Sequence, residues 1–247
     1  MCKILVLTKT DKIKNFKKVS EAIAQELQHD QQDGFGYAVL GEQGVFGERT
    51  ISEEFRSRIK TKEDLVPSEL IEETYNSFGN YSKPMGAAIF HGRTSTNHVN
   101  LLNTHPINKN DWTLIHNGVV SNKGPVYEKQ TTNDTEDLVH FLSTQGMSAI
   151  EKYCSGYYAI GAISPKGELH VIRDSTANLY VATNKTLGCL IFGTTIELIE
   201  SVCSELEWKI GPIEETKKDM HVIFDTQGQI LSNNRIKPLG YTVAETA

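Results

Sequence analysis

Two hydrophobic periods run through the chain and mark out its elements. Ile4-Leu5-Val6-Leu7 is a continuous apolar run that reads as a short buried strand beginning almost at the first residue. From Val19 to Leu27 the apolar residues fall at 19, 22, 23 and 27, the spacing of one helix face. Gly34 to Leu40 reads as a strand entered through a glycine turn, and Met85 to His91 and Trp112 to His116 are strand-like. The stretch from 51 to 82 is charged and helix-prone, with Pro67 suited to a first turn. Thr135 to Thr144 places Leu138, Phe141 and Leu142 on one face behind an acidic start, which predicts a helix with Asp134 as its N-cap.

The second half is richer in strands: Tyr157 to Ile163, Glu168 to Arg173, Leu179 to Ala182, Cys189 to Phe192, His221 to Phe224 and Ile230 to Leu231. Only Thr195 to Leu206 interrupts them with helical spacing. Short strands joined mostly by turns, with clustered helices, define an α+β class built on antiparallel sheets. No repeat, low-complexity tract or linker divides the chain, so residues 2–247 are expected to form a single domain.

Charge and composition then remove several classes. Against 31 Asp and Glu stand 25 Lys and Arg, and the densest basic run, Lys9 to Lys18, is short and interrupted. A nucleic-acid partner, which needs a basic stripe along the phosphates, is not expected. No apolar run approaches the roughly 18 residues of a membrane span, and the run after Met1 is too short for a signal-peptide core. The expectation is a soluble cytoplasmic protein with no membrane partner. Cys2, Cys154, Cys189 and Cys203 are scattered with no CxxC pair, which argues against a disulfide framework or zinc ribbon. The last three sit in apolar surroundings as packing residues. His91, His98 and His105 recur every seven residues with His116 beyond, but the spacing straddles strand and loop, so no metal site is expected. No cofactor is expected either. Trp112, Tyr157 and Tyr158 read as core aromatics, and Glu214 to Asp219 as a solvated face.

What remains is a set of groups suited to acyl chemistry. If Met1 is trimmed, Cys2 becomes an N-terminal residue carrying a nucleophile and a base together. Its α-amine (reference pKa about 7.7–8.0) can take the proton of its thiol (about 8.5). An arginine just past a strand end, Arg93, can hold a carboxylate bidentately. Asn117-Gly118 can present a side-chain amide and a backbone N–H side by side, as an oxyanion hole requires; the same pair also fits a type I′ hairpin turn.

These pieces come in one order: Cys2, Asp33-Gly34-Phe35-Gly36, His91-Gly92-Arg93-Thr94-Ser95-Thr96, Asn103-Thr104-His105-Pro106, His116-Asn117-Gly118 and Asn133-Asp134-Thr135-Glu136. Together they resemble the class II glutamine amidotransferases, members of the N-terminal-nucleophile hydrolases, and above all their stand-alone branch. The resemblance covers roughly residues 2–200 and implies a four-layer αββα sandwich of two antiparallel sheets flanked by helices. It implies that Cys2 attacks the glutamine side-chain amide to give a γ-glutamyl thioester and ammonia, which water completes to glutamate. By the same resemblance Asn117 and Gly118 stabilise the oxyanion, Arg93 pairs with the substrate α-carboxylate, Asp134 with its α-ammonium, and Thr96 supports the ligand. A separate synthetase or acceptor subunit is the partner such a chain implies.

Thr94 stands where many relatives carry a bulky residue after the arginine, and Asn133-Asp134-Thr135-Glu136 where they often read Ser-Asp-Ser-Glu. Both changes bear on pocket shape, and so on whether glutamine or another γ-glutamyl amide or peptide is the substrate. A catalytically silent binding or regulatory subunit of the same fold is the third alternative.

Overall fold

The computed structural model describes residues 2–30, 33–41, 44–51, 84–94 and 101–235. The elements run β1 (Lys3–Leu7), α1 (Phe16–Asp30), β2 (Gly34–Gly41), β3 (Gly44–Ile51), β4 (Pro84–Arg93), β5 (Ile107–Lys109), β6 (Trp112–Asn122), α2 (Thr135–Gln145) and α3 (Met147–Tyr153). They continue with β7 (Cys154–Ile163), β8 (Leu169–Arg173), β9 (Tyr180–Asn184), β10 (Cys189–Gly193), α4 (Ile196–Glu205), β11 (Glu214–Glu215), β12 (Met220–Phe224) and β13 (Ile230–Arg235). The expected helix within 51–82, with Pro67, falls outside the described residues apart from Ile51.

Two antiparallel sheets result. Sheet A has the order β11-β9-β10-β1-β4-β2-β3 and sheet B the order β13-β12-β8-β7-β6-β5. Strand alternation sorts their side chains into layers. Leu5 and Leu7 of β1, Ala88 and Phe90 of β4 and Phe35, Tyr37 and Val39 of β2 pack outward against Val19, Ile23 and Leu27 of α1 and Leu198, Ile199 and Val202 of α4. Ile4, Val6, Ala87 and Ile89 point the other way, onto Ile115, Ala159, Leu169 and Val171 of sheet B. On the far side of sheet B, Leu114, Tyr158, Ile160 and Ile172 meet Leu138, Phe141 and Leu142 of α2 and Ile150 of α3. Three apolar layers between helix, sheet, sheet and helix make the αββα sandwich. Between the sheets, Gly161 leaves room that a Cβ would fill, 2.9 Å from Val6 Cγ2.

Local chemistry sets the helix starts. Asn15 Oδ1 accepts the Lys18 N–H at 3.0 Å at the head of α1, and Thr195 Oγ1 accepts the Leu198 N–H at 3.1 Å at that of α4. The start of α2 departs from expectation, since Asp134 makes no side-chain cap. Asn133 Oδ1 takes the Thr135 N–H instead, at 2.9 Å. The acidic first turn of α2 holds the preceding loop. Glu136 accepts from Lys109 (2.8 Å) and from the N–H groups of Gln130 and Thr131 (2.7 Å for Thr131), which hold its carboxyl below the usual range against the upward push of burial. Asp137 accepts from Asn122 and Tyr127, each at 2.9 Å, and pairs with Lys129.

Two other expectations are corrected. Asn117-Gly118 is not a hairpin turn but lies inside β6, opposite Ala159 and Tyr158 of β7. Glu214 to Asp219 is not simply a solvated face: Glu215 pairs with buried Arg173, and Thr216 and Asp219 are themselves buried. Strands β3 and β5 and helix α3 were not expected from the pattern.

Candidate active site

Antiparallel pairing carries the sequence motifs to one end of the sandwich. In the β1–β4 pair Lys3 faces Gly92 and Ile4 faces His91, so one further step sets Cys2 opposite Arg93. Both continue the inward face that Ile4 and Ile89 occupy, toward sheet B. The Asp33-Gly34-Phe35-Gly36 motif lies alongside: the Asp33 N–H donates to the Arg93 carbonyl at 3.1 Å, and Phe35 and Gly36 face Gly92 and His91. From sheet B come Asn117 and Gly118 of β6 and Asp134 at the head of α2. Cys2, Arg93, Asn117, Gly118 and Asp134 line one cavity of about 320 Å³, with Thr94, Asn103, Asn133 and Tyr157 among the other walls. Thr96, expected as a supporting contact, lies outside the described residues. Tyr157, expected in the core, is a half-buried wall of this cavity, whereas Tyr158 is buried.

Asn103-Thr104-His105-Pro106 and Asn133-Asp134-Thr135-Glu136 form a single wall. Asn103 Nδ2 donates to Thr132 Oγ1 at 2.8 Å, the Thr132 N–H returns to Asn103 Oδ1 at 3.2 Å, and Asn133 Nδ2 donates to the Asn103 carbonyl at 2.7 Å. Contacts across some thirty residues of sequence carry no local periodicity, so the sequence pattern did not reveal them.

The donor side follows from strand pairing. β5 pairs with β6 only from Lys109–Trp112 to Ile107–Leu114, so beyond Leu114 that edge of β6 is not covered by β5. Tyr158, opposite Gly118, spends both its backbone groups on the other side, its N–H on Asp174 Oδ1 (3.2 Å) and its carbonyl on the Asp174 N–H (3.0 Å). Gly118 therefore turns its own N–H and C=O to the open edge. Its neighbours on that edge are engaged: the His116 carbonyl accepts from His91 Nε2 at 3.2 Å, and the Val120 N–H donates to Asp134 Oδ2 at 2.7 Å. The Gly118 N–H lies between them at the cavity wall, beside Asn117, which is 4% exposed and whose Oδ1 is buried with no hydrogen-bond partner among the described residues. Only glycine fits at 118. Its φ is +152°, and a Cβ would stand 2.0 Å from the Tyr157 carbonyl and 2.6 Å from His116 Nε2.

Charge divides the cavity. Arg93 is 5% exposed; burial draws its pKa down, while Cys2 and Asp33 hold it up. Asp134 stands on the sheet B side, held by Val120 and 4.0 Å from His116 Nδ1. The half-buried Cys2 thiol donates to the Thr94 carbonyl at 3.4 Å. Burial pushes this thiol up, so at neutral pH it rests protonated and needs a base before it can attack. One cation and one anion on opposite walls can bind the two ends of a zwitterion, and two convergent donors near a thiol can stabilise a tetrahedral oxyanion. Among the described residues no three His, Cys, Asp or Glu side chains group as metal ligands, and no helix is long and apolar enough to cross a membrane.

Solved structures share this fold, and they include a glutamine amidotransferase, the kind of protein whose motifs the sequence resembles. The glutamine phosphoribosylpyrophosphate amidotransferase of B. subtilis aligns with a TM-score of 0.63 at 16% identity, over 95% of this chain and 49% of its own. A structure described as the allosteric regulatory enzyme of purine biosynthesis aligns at 0.66 and 16%, over the same shares. A glutamine aminotransferase class-II domain protein from Silicibacter pomeroyi aligns at 0.50 and 11%, over 96% of this chain and all of its own. The chain thus spans about half the length of the first two. No protein-family model matches the sequence, and no curated protein does. At these identities the likeness establishes the fold alone, the αββα sandwich of two antiparallel sheets between helices.

Proposed function

We propose that this protein is a class II glutamine amidotransferase-type enzyme that hydrolyses the glutamine side-chain amide through Cys2. The observation that carries the proposal is the convergence of Cys2, Arg93, Asn117, Gly118 and Asp134, from separate segments of the chain, on one cavity. Arg93 takes the α-carboxylate of glutamine and Asp134 its α-ammonium, which aims the side-chain amide at Cys2. Removal of Met1 frees the α-amine of Cys2, which accepts the thiol proton as sulfur bonds to the amide carbon. The oxyanion forms against Asn117 Nδ2 and the Gly118 N–H. As the intermediate collapses, the C–N bond breaks and the amine returns its proton to the leaving ammonia. Water then adds to the γ-glutamyl thioester, releasing glutamate and restoring the thiol. A separate synthetase or acceptor subunit is the counterpart expected for the ammonia.

The test is release of ammonia and glutamate in equal amounts from glutamine by the wild type and by Cys2→Ala. Equimolar release by the wild type and none by the variant is the expected result. Equal turnover by both would refute the mechanism. Turnover of γ-glutamyl amides or peptides with glutamine untouched would keep the nucleophile and replace the substrate.

A further inference from the structure

At the cavity wall, which His105 and His116 help to line, begins a buried polar network that the proposed chemistry does not use. His91 on β4 is fully buried, one strand residue pair from Arg93 and on the same inward face. It reaches across the sandwich to the carbonyl of His116 on β6, with Nε2 to O at 3.2 Å. A carbonyl can only accept, so Nε2 carries the proton and His91 is the Nε2–H tautomer. Its Nδ1 is then a bare lone pair, buried and without a hydrogen-bond partner among the described residues. The His105 ring lies against His91, with centroids 4.0 Å apart. From the helix side, Thr135 Oγ1 stands 2.6 Å from His105 Nε2 and 3.1 Å from His116 Nδ1. The hydroxyl has one proton to give, so it cannot donate to both rings and at least one of them donates to it, which links the two.

The placement of these bonds gives them a consequence for the site. Cys2 and Arg93 belong to sheet A, Asn117 and Gly118 to sheet B. His91 joins the two sheets by a hydrogen bond to the peptide unit that precedes Asn117, at the edge that β5 leaves uncovered. Thr135 holds the His116 ring on the opposite face of the same residue. We infer that His91, backed by Thr135, is the positioning device that sets the Asn117 and Gly118 donors against the Cys2 nucleophile, an inference that rests on the hydrolytic role proposed for Cys2. Burial pushes the His91 pKa down to about 3, so the ring stays neutral and keeps this donor geometry throughout the physiological range.

The experiment compares His91→Leu, which removes the donor, with His91→Gln, which keeps an N–H, and Thr135→Val with Thr135→Ser. Glutamine turnover is read as separate kcat and KM values, alongside the backbone amide NMR signals and hydrogen exchange of Asn117 and Gly118. Small misplacements of reacting groups cost up to about 100-fold. The expected result is therefore a kcat about 10- to 100-fold lower for His91→Leu and Thr135→Val with KM little changed, shifted amide signals at 117 and 118 with faster exchange at 117, and substantial recovery of both in His91→Gln and Thr135→Ser. Wild-type kcat with unshifted amide signals in His91→Leu would overturn the inference, as would equal losses in His91→Leu and His91→Gln or an effect confined to KM. Because the amide signals are read without substrate, they decide the point even if the wild type leaves glutamine untouched. That failure, unlike the others, would strike the proposed function and not the positioning role. Should His91→Leu fail to fold, the Thr135 pair carries the same readouts from the opposite face.

Discussion

The two sheets meet the cavity in different ways. Sheet A brings Cys2 and Arg93 there by backbone pairing alone: the β1–β4 register fixes them at adjoining strand ends. Sheet B brings Asn117 and Gly118 from the interior of β6, paired to β7 along one edge, and Asp134 from the head of α2, with side chains making the bonds along the other edge. His91 holds the His116 carbonyl, Asp134 the Val120 N–H, and Asn133 the first turn of α2. The side of the proposed nucleophile is therefore anchored by main-chain bonds that a side-chain change leaves intact. On the donors' side, structure and chemistry are built from the same residues.

That contrast predicts where variants lose activity alone and where they also lose stability. The largest combined effect is expected for Gly118→Ala, whose Cβ meets the Tyr157 carbonyl at 2.0 Å. It should destabilise the fold by about 3 kcal/mol and abolish turnover, measured by denaturant unfolding and an ammonia assay. Cys2→Ala, by contrast, should lose turnover with stability changed by no more than about 0.5 kcal/mol. A comparable loss of stability in both variants would erase the distinction between the sheets. Next comes Asn117→Ala, expected to lower kcat by about 100- to 1,000-fold with KM nearly unchanged. Arg93→Ala should instead act mainly by raising KM. Equal effects of the two on KM would show that Asn117 serves ground-state binding.

Asp137→Ala should cost about 1–3 kcal/mol of stability, because the side chains of Asn122, Tyr127 and Lys129 lose a shared buried acceptor. The smallest effect is a pH dependence. Burial pushes His91 and His170 down to about 3 and His221 to about 4, so they stay neutral in the folded chain, whereas in the unfolded chain they titrate near 6.5. The unfolded state then binds more protons below pH 6.5. Stability should be flat above that value and fall as pH drops from 6.5 toward 4, each such histidine adding up to about 1.4 kcal/mol per pH unit. His170 Nδ1 and His221 Nε2 lie 2.9 Å apart on sheet B, away from the cavity. Replacing His221 with Gln should flatten the slope without touching kcat, and an unchanged slope would contradict the neutral state assigned to the pair.

Much of sheet A was legible in the sequence because its information is local. The apolar run from Ile4 to Leu7 and the strand from Met85 to His91 are periodic signals, and Cys2 and Arg93 sit at or next to their ends. Sheet B was harder to read. Asn-Gly is a strong turn signal, yet pairing with β7 along all of Thr113–Asn122 overrides it. Asp134 stands where a helix cap belongs, yet its carboxylate goes to the Val120 N–H, fourteen residues away, and Asn133 takes over at the helix start. The roles of His91 and Thr135 depend on bonds spanning 25 and 19 residues. Each histidine could be named from its motif, but only the cross-sheet geometry shows what its ring holds.

One measurement bears most directly on Cys2 as the glutamine-attacking nucleophile: intact mass and peptide mapping after exposure to an electrophilic glutamine analogue, with and without glutamine. The expected result is a single adduct on Cys2, Met1 absent, and protection by glutamine. Met1 still attached with no adduct on Cys2 would contradict the proposed chemistry and leave a silent subunit of the same fold.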